Sequence, residues 1–418
     1  MSNSDTVSNK AFHGLFSRLY SDDTSLDDLQ AAAQLALQVE FTTIPVYLSG
    51  LYSISDTSSY AYQTLRSVVM EEMFHVNQAA NILVGLGGLP VFTGAAAPVY
   101  PGYLPQANPA TTPYLGLYRA SPDVFSNVYE AIETPAPLGA PAQGSNYDSI
   151  AQLYQALVDA VDAYPGNPFE PSSSWPGRQR TDIYLGKFGG NVNPVLNKDS
   201  FHAAVNEIVK QGEGTVPPEA PLIPIQQYGS YNHYGKRTDG TYGPITGTPY
   251  ELSHFMKFRS VANQPADFPA SYPVISNPKA SDYSNDDAVL MSQVFDICYT
   301  MMLRAFEKTF NASAPDPYFN IVLSIMHGVL PSLARAMMQT PALMDGDSAV
   351  GPNASPAWRC LPDNIVVTPA DLPADIHKLL ERVPESRATA TVRSLLEQAQ
   401  YSSIEIADMT QKLGLTTL

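Results

Sequence analysis

Long apolar helical runs with few charges alternate with stretches that show no periodicity. The first run, LQAAAQLALQVEFTTIPVYLSGLYSI, is preceded by Ser25 as a cap, with Asp27 and Asp28 near its positive end. Its apolar positions (Leu29, Ala32, Ala33, Leu35, Leu37, Val39) suit a helix buried within a bundle more than one on a surface. Pro45 predicts a kink or register break near Phe41. A second helix is expected from about Ser59 to Gly85, ended by Gly85, Gly87, Gly88 and Pro90. From Val91 to about Ser200 the pattern weakens into Pro-, Tyr- and Gly-rich sequence, interrupted by DVFSNVYEAIE and SIAQLYQALVDAVDAY. A segment of this length in a compact domain has a task of its own. Its apolar residues (Val99, Tyr100, Tyr103, Leu104, Tyr114, Leu115, Tyr118) are expected to fold over one end of the bundle and line the approach to a site.

The helical pattern resumes at FHAAVNEIVKQGEG, stopped by Gly212 and Gly214, and again at ELSHFMKFRSVA. Two long apolar helices follow, the second with an expected kink at Pro331, and a more polar tail begins after Asp345. No run of β alternation and no short repeat is present. The expected fold is all-α: a four-helix bundle over residues 24–345 with a long Tyr/Pro-rich insertion (about 91–200) between helices 2 and 3, and additional C-terminal helices in an extension, 346–418, packed on the bundle.

Composition narrows the chemistry. The 23 Lys and Arg against 40 Asp and Glu leave a net charge of −17, which disfavours a nucleic-acid backbone or an anionic membrane surface as partner. Two cysteines, Cys298 and Cys360, cannot build a disulfide framework or a Cys-rich zinc site. The start, MSNSDTVSNKAF, lacks a basic region with an apolar core, and a soluble, cytoplasmic protein is expected. No P-loop, G-x-S-x-G or dinucleotide fingerprint is present.

The chemical signal lies in two histidines that each follow a glutamate by three residues, Glu72–His75 and Glu251–His254. With seven histidines and 15 glutamates in 418 residues, chance supplies about 7 × 15/418 ≈ 0.25 such pairs. On a helix, positions i and i+3 share a face, so both side chains of a pair reach one ion. A lone pair of this kind is more often a solvated glutamate and a satisfied core histidine; two on separate bundle helices reverse that preference. Carboxylate-bridged di-metal sites in four-helix bundles use two such pairs plus one glutamate from each remaining helix. Glu40, the one acidic residue inside the first apolar helix, supplies the first. On the third helix Glu213 is preferred to Glu207, because the end of one antiparallel helix meets the start of the next, where Glu251 and His254 stand. Glu71, about 100° round the helix from Glu72, is expected behind the site or at the surface. His327 reads as core, and His202 opens the third helix without a carboxylate at helical spacing. Tyr47 and Tyr52 fall on or after the Glu40 helix, where packing is the first reading.

The segments EFTTIPVYLSGLYSI, VVMEEMFHVNQAANILVGLGGLP, YPGYLP, IETP (Ile132–Pro135), AVNEIVKQGEGT and ELSHFMKF, in this order, resemble the ferritin-like family typified by the domain of iminophenylpyruvate dimer synthases, enzymes of bisindole pigment and alkaloid pathways. The likeness covers roughly residues 26–341. It implies a ferritin-type bundle with a metal site of Glu40, Glu72, His75, Glu213, Glu251 and His254. Two positions depart from the family pattern: Phe41, where members often carry His, and Gln152, where glutamate is expected. The expected function is a non-haem di-iron oxidoreductase or oxygenase of secondary metabolism, using two Fe ions (Mn or a mixed Fe/Mn pair as alternatives). Its partners would be O₂ and a small aromatic or amino-acid-derived molecule, with an electron donor and a homo-oligomer as further expectations. Imine coupling of the dimer-synthase type and a non-enzymatic iron-binding role are the rival readings.

Overall fold

The structure, a computed structural model, describes residues 12, 14–135, 146–169, 178–181, 192, 194–213, 252–311, 316–387 and 389–418. Among these residues the regular structure is helical, with isolated β-bridges and no strand. Helix α1 (Leu26–Ser53) starts at a capping box: the Asp28 amide donates to Ser25 Oγ and the Ser25 amide to the Asp28 carboxylate. Every residue from Leu35 to Ser53 is buried, so α1 is surrounded on all sides. That packing explains a departure from expectation. Pro45 lacks the N–H that the Phe41 carbonyl would accept, yet the helix runs through it without interruption. After a short turn α2 (Tyr60–Gly85) returns along α1, capped by Ser59.

The other two arms of the bundle are each assembled from two pieces. Helix α3 (Ile150–Ala163) packs on α1, and α4 (Lys198–Gln211) packs on α2 and α3. They close the half of the bundle that holds the start of α1 and the end of α2. The other half is closed by α5 (His254–Ala262), which packs on α2, and by the π-helical stretch Phe125–Glu130, which packs on α5. The Phe255 amide donates to the Gly212 carbonyl at 3.4 Å, so the start of α5 abuts the end of α4. The stretch 91–200, expected as one insertion, therefore carries bundle pieces within it. Ile150–Ala163 has a strongly one-sided apolar pattern, and the bundle is what buries it.

The remaining helices form a layer over the outer side of the α1–α2 pair. Helix α6 (Asp286–Asn311) pairs with α7 (Asp316–Met337), which contains a π-helical stretch at Ile325–Val329 just before Pro331. Both are long and apolar enough to cross a membrane, but 67% and 56% of their most apolar windows are buried inside the protein. Helices α8 (Leu372–Arg382) and α9 (Ala390–Lys412) pack on each other, α8 against α6 and α9 against α7. Residues beyond 346 share the common core: the Trp358 indole donates to Ser49 Oγ of α1 at 3.0 Å, and its ring stands edge-on to Phe295.

One close approach fixes the π-helical stretch on α1. A Cβ on Gly50 would lie 2.0 Å from the Tyr129 hydroxyl, and Tyr129 is wedged among Tyr47, Phe125 and Phe258. Gly50→Ala should therefore cost about 1–3 kcal/mol through overpacking, read as a lower thermal midpoint. Tyr129→Phe in that background should recover part of the loss. A single variant that melts with the parent protein would refute the contact.

Candidate metal centre

Six ionisable side chains meet where the two halves of the bundle join. Glu40 comes from the middle of α1, Glu72 and His75 from the middle of α2, and Glu133 from the turn that ends the Phe125–Glu130 stretch. Glu213 lies two residues past α4, and His254 is the first residue of α5. None is more than 2% exposed.

Glu72 stands between the two imidazoles, with Oε1 2.7 Å from His254 Nδ1 and 3.7 Å from His75 Nδ1. His75 Nδ1 is also 3.5 Å from Glu40 Oε2, and His254 Nδ1 is 3.6 Å from Glu133 Oε1. One donor atom from each of Glu72, His75 and His254 lies within 4.8 Å of the others, and the two rings lie 5.3 Å apart. Glu213 closes one wall. Its carboxylate accepts from the Ala151 amide at 2.8 Å and Ser149 Oγ at 3.2 Å, so it caps the positive end of α3. A Cβ on Gly212 would sit 3.3 Å from Glu133 Oε2, so glycine there lets the chain pass close to that carboxylate.

Each histidine is oriented from behind. His75 Nε2 faces Gln211 Oε1 at 3.0 Å, and the Gln211 amide nitrogen donates to Glu207 at 3.2 Å. That amide orientation makes Nε2–H the donor and turns Nδ1 toward Glu40 and Glu72. His254 Nε2 lies 2.8 Å from Glu71 Oε2, which also takes the Lys257 ammonium at 2.5 Å. Both Nδ1 atoms thus point to the same space, held by outer partners of the kind that fix ligand histidines.

The electrostatics show what this space lacks. Burial and the neighbouring Glu133 carboxylate push Glu72 up to about 7, against the pull of His254. Burial alone would depress both imidazoles, but Glu40 and Glu72 raise His75, while Glu133, Glu71 and Glu72 raise His254 well above its ordinary value. The surrounding carboxylates thus favour the protonated form of both imidazoles. Even so, Glu40 Oε1 has no hydrogen-bond partner. Four carboxylates and two neutral imidazoles carry −4, the charge that two divalent ions cancel. The donor set, its orientation and the orphaned Glu40 oxygen fit a pair of hard or borderline cations.

The structure thus brings together Glu40, Glu72, His75, Glu213 and His254. Glu207 stands outside as the anchor of Gln211, and Glu251 lies outside the described residues. The expected reason for preferring Glu213, an antiparallel third and fourth helix, is replaced by the end-to-start abutment of α4 and α5, both lying along α2. Glu133 is absent from the expected ligands, although its IETP segment is among those that carry the resemblance. Glu71, expected behind the site or at the surface, is fully buried behind His254. Phe41 and Gln152, the departures from the family pattern, stay out of the cluster: Phe41 faces the outer side of α1, and Gln152 accepts from the Asp148 amide. Val99, Tyr103 and Tyr114 face solvent, whereas Tyr147 and Tyr154 are buried and feel the Glu40 charge. His202 is half-exposed against Asp162, and Tyr47 donates to Glu133 at 2.6 Å.

A model of the ferritin-like family matches residues 33–263, more than half of the chain. The chain belongs to the ferritin-like family. The crystal structure of a ferritin-like protein from Caulobacter vibrioides is similar in fold, with a TM-score of 0.54 at 20% identity over 79% of this chain and 99% of that one. Because 33–263 is only about 55% of the chain, that likeness reaches beyond the ferritin-like span into residues outside it. No curated protein matches the sequence.

Replacing Gln211 by Leu leaves His75 Nε2 unpartnered, and metal affinity should fall roughly 10–100-fold. Glu207→Ala, one bond further out, should cost less than Gln211→Leu. Competitive chelator titration measures both; the reverse order would make Glu207 a ligand.

Proposed function

We propose that this ferritin-like protein is a non-haem di-iron oxidoreductase that uses O₂ on a small organic molecule. The observation that carries this reading is the meeting of Glu40, Glu72, Glu133, Glu213, His75 and His254 at one buried level, from all four arms of the bundle. Glu40, His75 and Glu72 would hold one ion, and Glu133, His254 and Glu72 the other, with Glu213 available from the α3 side. Manganese would suit the same oxygen-rich set. When bound, such a pair supplies one-electron chemistry and open positions for O₂.

The protein's own part is positioning, exclusion of water and management of protons. Thr43 Oγ1 donates to Glu72 Oε2 at 2.8 Å and Tyr47 to Glu133, which fixes the carboxylate that stands between the histidines and the one beside it. Tyr47 keeps its phenolic proton because burial and then the Glu133 and Glu72 charges push its titration far up. It is a fixed O–H donor at the cluster's edge. The void between Glu40, Glu72, Glu133 and Glu213 is about 10 Å³, the space of one water-sized sphere. Substrate must therefore reach the ions from the rim rather than lie among the carboxylates.

Imine coupling of the dimer-synthase type rests on the motif resemblance, and a purely iron-binding role rests on the family alone. The two diverge from the oxidoreductase reading in countable ways. An enzyme of the proposed kind should bind about two metals per chain and stay a small oligomer, whereas storage requires a cage and many irons. Elemental analysis of protein purified without O₂, followed by O₂ uptake, tests this. His75→Ala and Glu133→Ala should each bring metal content well below two. Full metal content in both variants would sink the assignment, and full occupancy with no O₂ uptake would leave only the binding role.

A further inference from the structure

The α1–α2 pair has a second chemically distinct face. Glu40 and Thr43, with Glu71, Glu72 and His75, look into the bundle. At about 100° per residue, Phe41, Ile44 and Leu48 on α1 and Met70, Met73 and Val76 on α2 turn away from it, toward α6 and α7. There they line a cavity of about 140 Å³ that shares no residue with the void of the cluster. Tyr299, Trp358 and Phe306 form much of its far wall. Its mouth lies between α2 and α7, where Met73, Phe319 and Met326 are half-buried and His327, expected as a core residue, is exposed. The π-helical stretch Ile325–Val329 carries Met326 and His327 at that mouth. π-Bulges of this kind are frequent at functional sites.

Two of the lining residues carry a buried polar atom that lacks a hydrogen-bond partner. The Tyr299 hydroxyl is buried and has no hydrogen-bond partner. Asn77, 1% exposed, donates its amide nitrogen to the Arg180 carbonyl at 3.0 Å, which fixes the amide and leaves Oδ1 without a partner. An orphaned donor–acceptor and an orphaned acceptor on residues that line a mostly apolar chamber suit a small-molecule site, in which a few polar groups orient a hydrophobic guest. A cavity of roughly this size admits one benzene-sized ring.

We propose that this cavity is a second binding site, separate from the metal cluster, for a small uncharged aromatic molecule bearing one hydroxyl. The ring would lie among Phe41, Tyr299 and Trp358. Its O–H would donate to Asn77 Oδ1 and accept from Tyr299. Phe41, Met73 and Val76 are the sequence neighbours of Glu40, Glu72 and His75, so a guest would press on the helices that hold half the cluster.

Phenol is the probe, with toluene beside it because toluene cannot coordinate a metal. Trp358 is one of two tryptophans, and in a Trp175→Phe background it reports the cavity alone. Phenol should quench or shift its emission saturably, and should bind more tightly than toluene. Met326→Phe, which narrows the mouth, should weaken both at least tenfold, while Met326→Ala, which widens it, should not. Tyr299→Phe should weaken phenol at least threefold and leave toluene unchanged. Absence of saturable binding, equal binding by the Met326→Phe protein, or toluene binding as tightly as phenol would each overturn the proposal. So would a phenol-soaked crystal with only water at Tyr299 and Asn77.

Discussion

Four carboxylates at one level of an apolar bundle repel one another, and nearly everything around them answers that repulsion. A lone ionised carboxylate in such a place is costly, and a group of them is costlier still. The protein meets part of the cost with backbone and side-chain donors: Thr43 for Glu72, Tyr47 for Glu133, the start of α3 for Glu213. It meets another part with the two imidazoles, whose affinity for protons is raised by the carboxylates around them. Glu71 and Lys257 form a closed pair behind His254, and Gln211 and Glu207 do the same service behind His75 without adding a cation. What is left over is the negative charge that metal ions cancel.

The continuous half of this arrangement was legible in the sequence. Glu40 is conspicuous in an apolar helix, and the Glu72–His75 spacing places two donors on one face whatever the rest of the chain does. The discontinuous half was not. Glu133 follows a π-helical stretch, which displaces it from ordinary helical periodicity, and Glu213 and His254 meet because one helix stops where another starts. Periodicity describes residues within an element and is silent about which element ends lie together. The same limit applies to 91–200, where SIAQLYQALVDAVDAY reads as a helix but nothing local makes it a piece of the bundle. It applies to Pro45 in another way, since local geometry argues for a break and the buried helix continues through it without interruption.

The α1–α2 pair is consequently asymmetric in a way that a four-helix bundle alone would not require. One face is charged and tightly hydrogen-bonded; the other is aromatic and Met-rich and is covered by the C-terminal layer, with Phe92 packed on Phe41 beside it. Trp358, bonded to Ser49 of α1, ties the segment after 346 to the same helix that carries Glu40. The C-terminal helices thus share a structural member with the candidate centre and are more than a covering.

The division of the fourth arm has a mechanical consequence. Glu213 and His254 are 41 positions apart in the chain (254 − 213) yet face the same few cubic ångströms. An ion gripped by both would close that span as a crosslink does, removing conformational freedom from the unfolded chain as well as charge from the folded one. Metal here would act as a clasp: its loss should loosen the joint between α4 and α5 before it loosens α1 and α2.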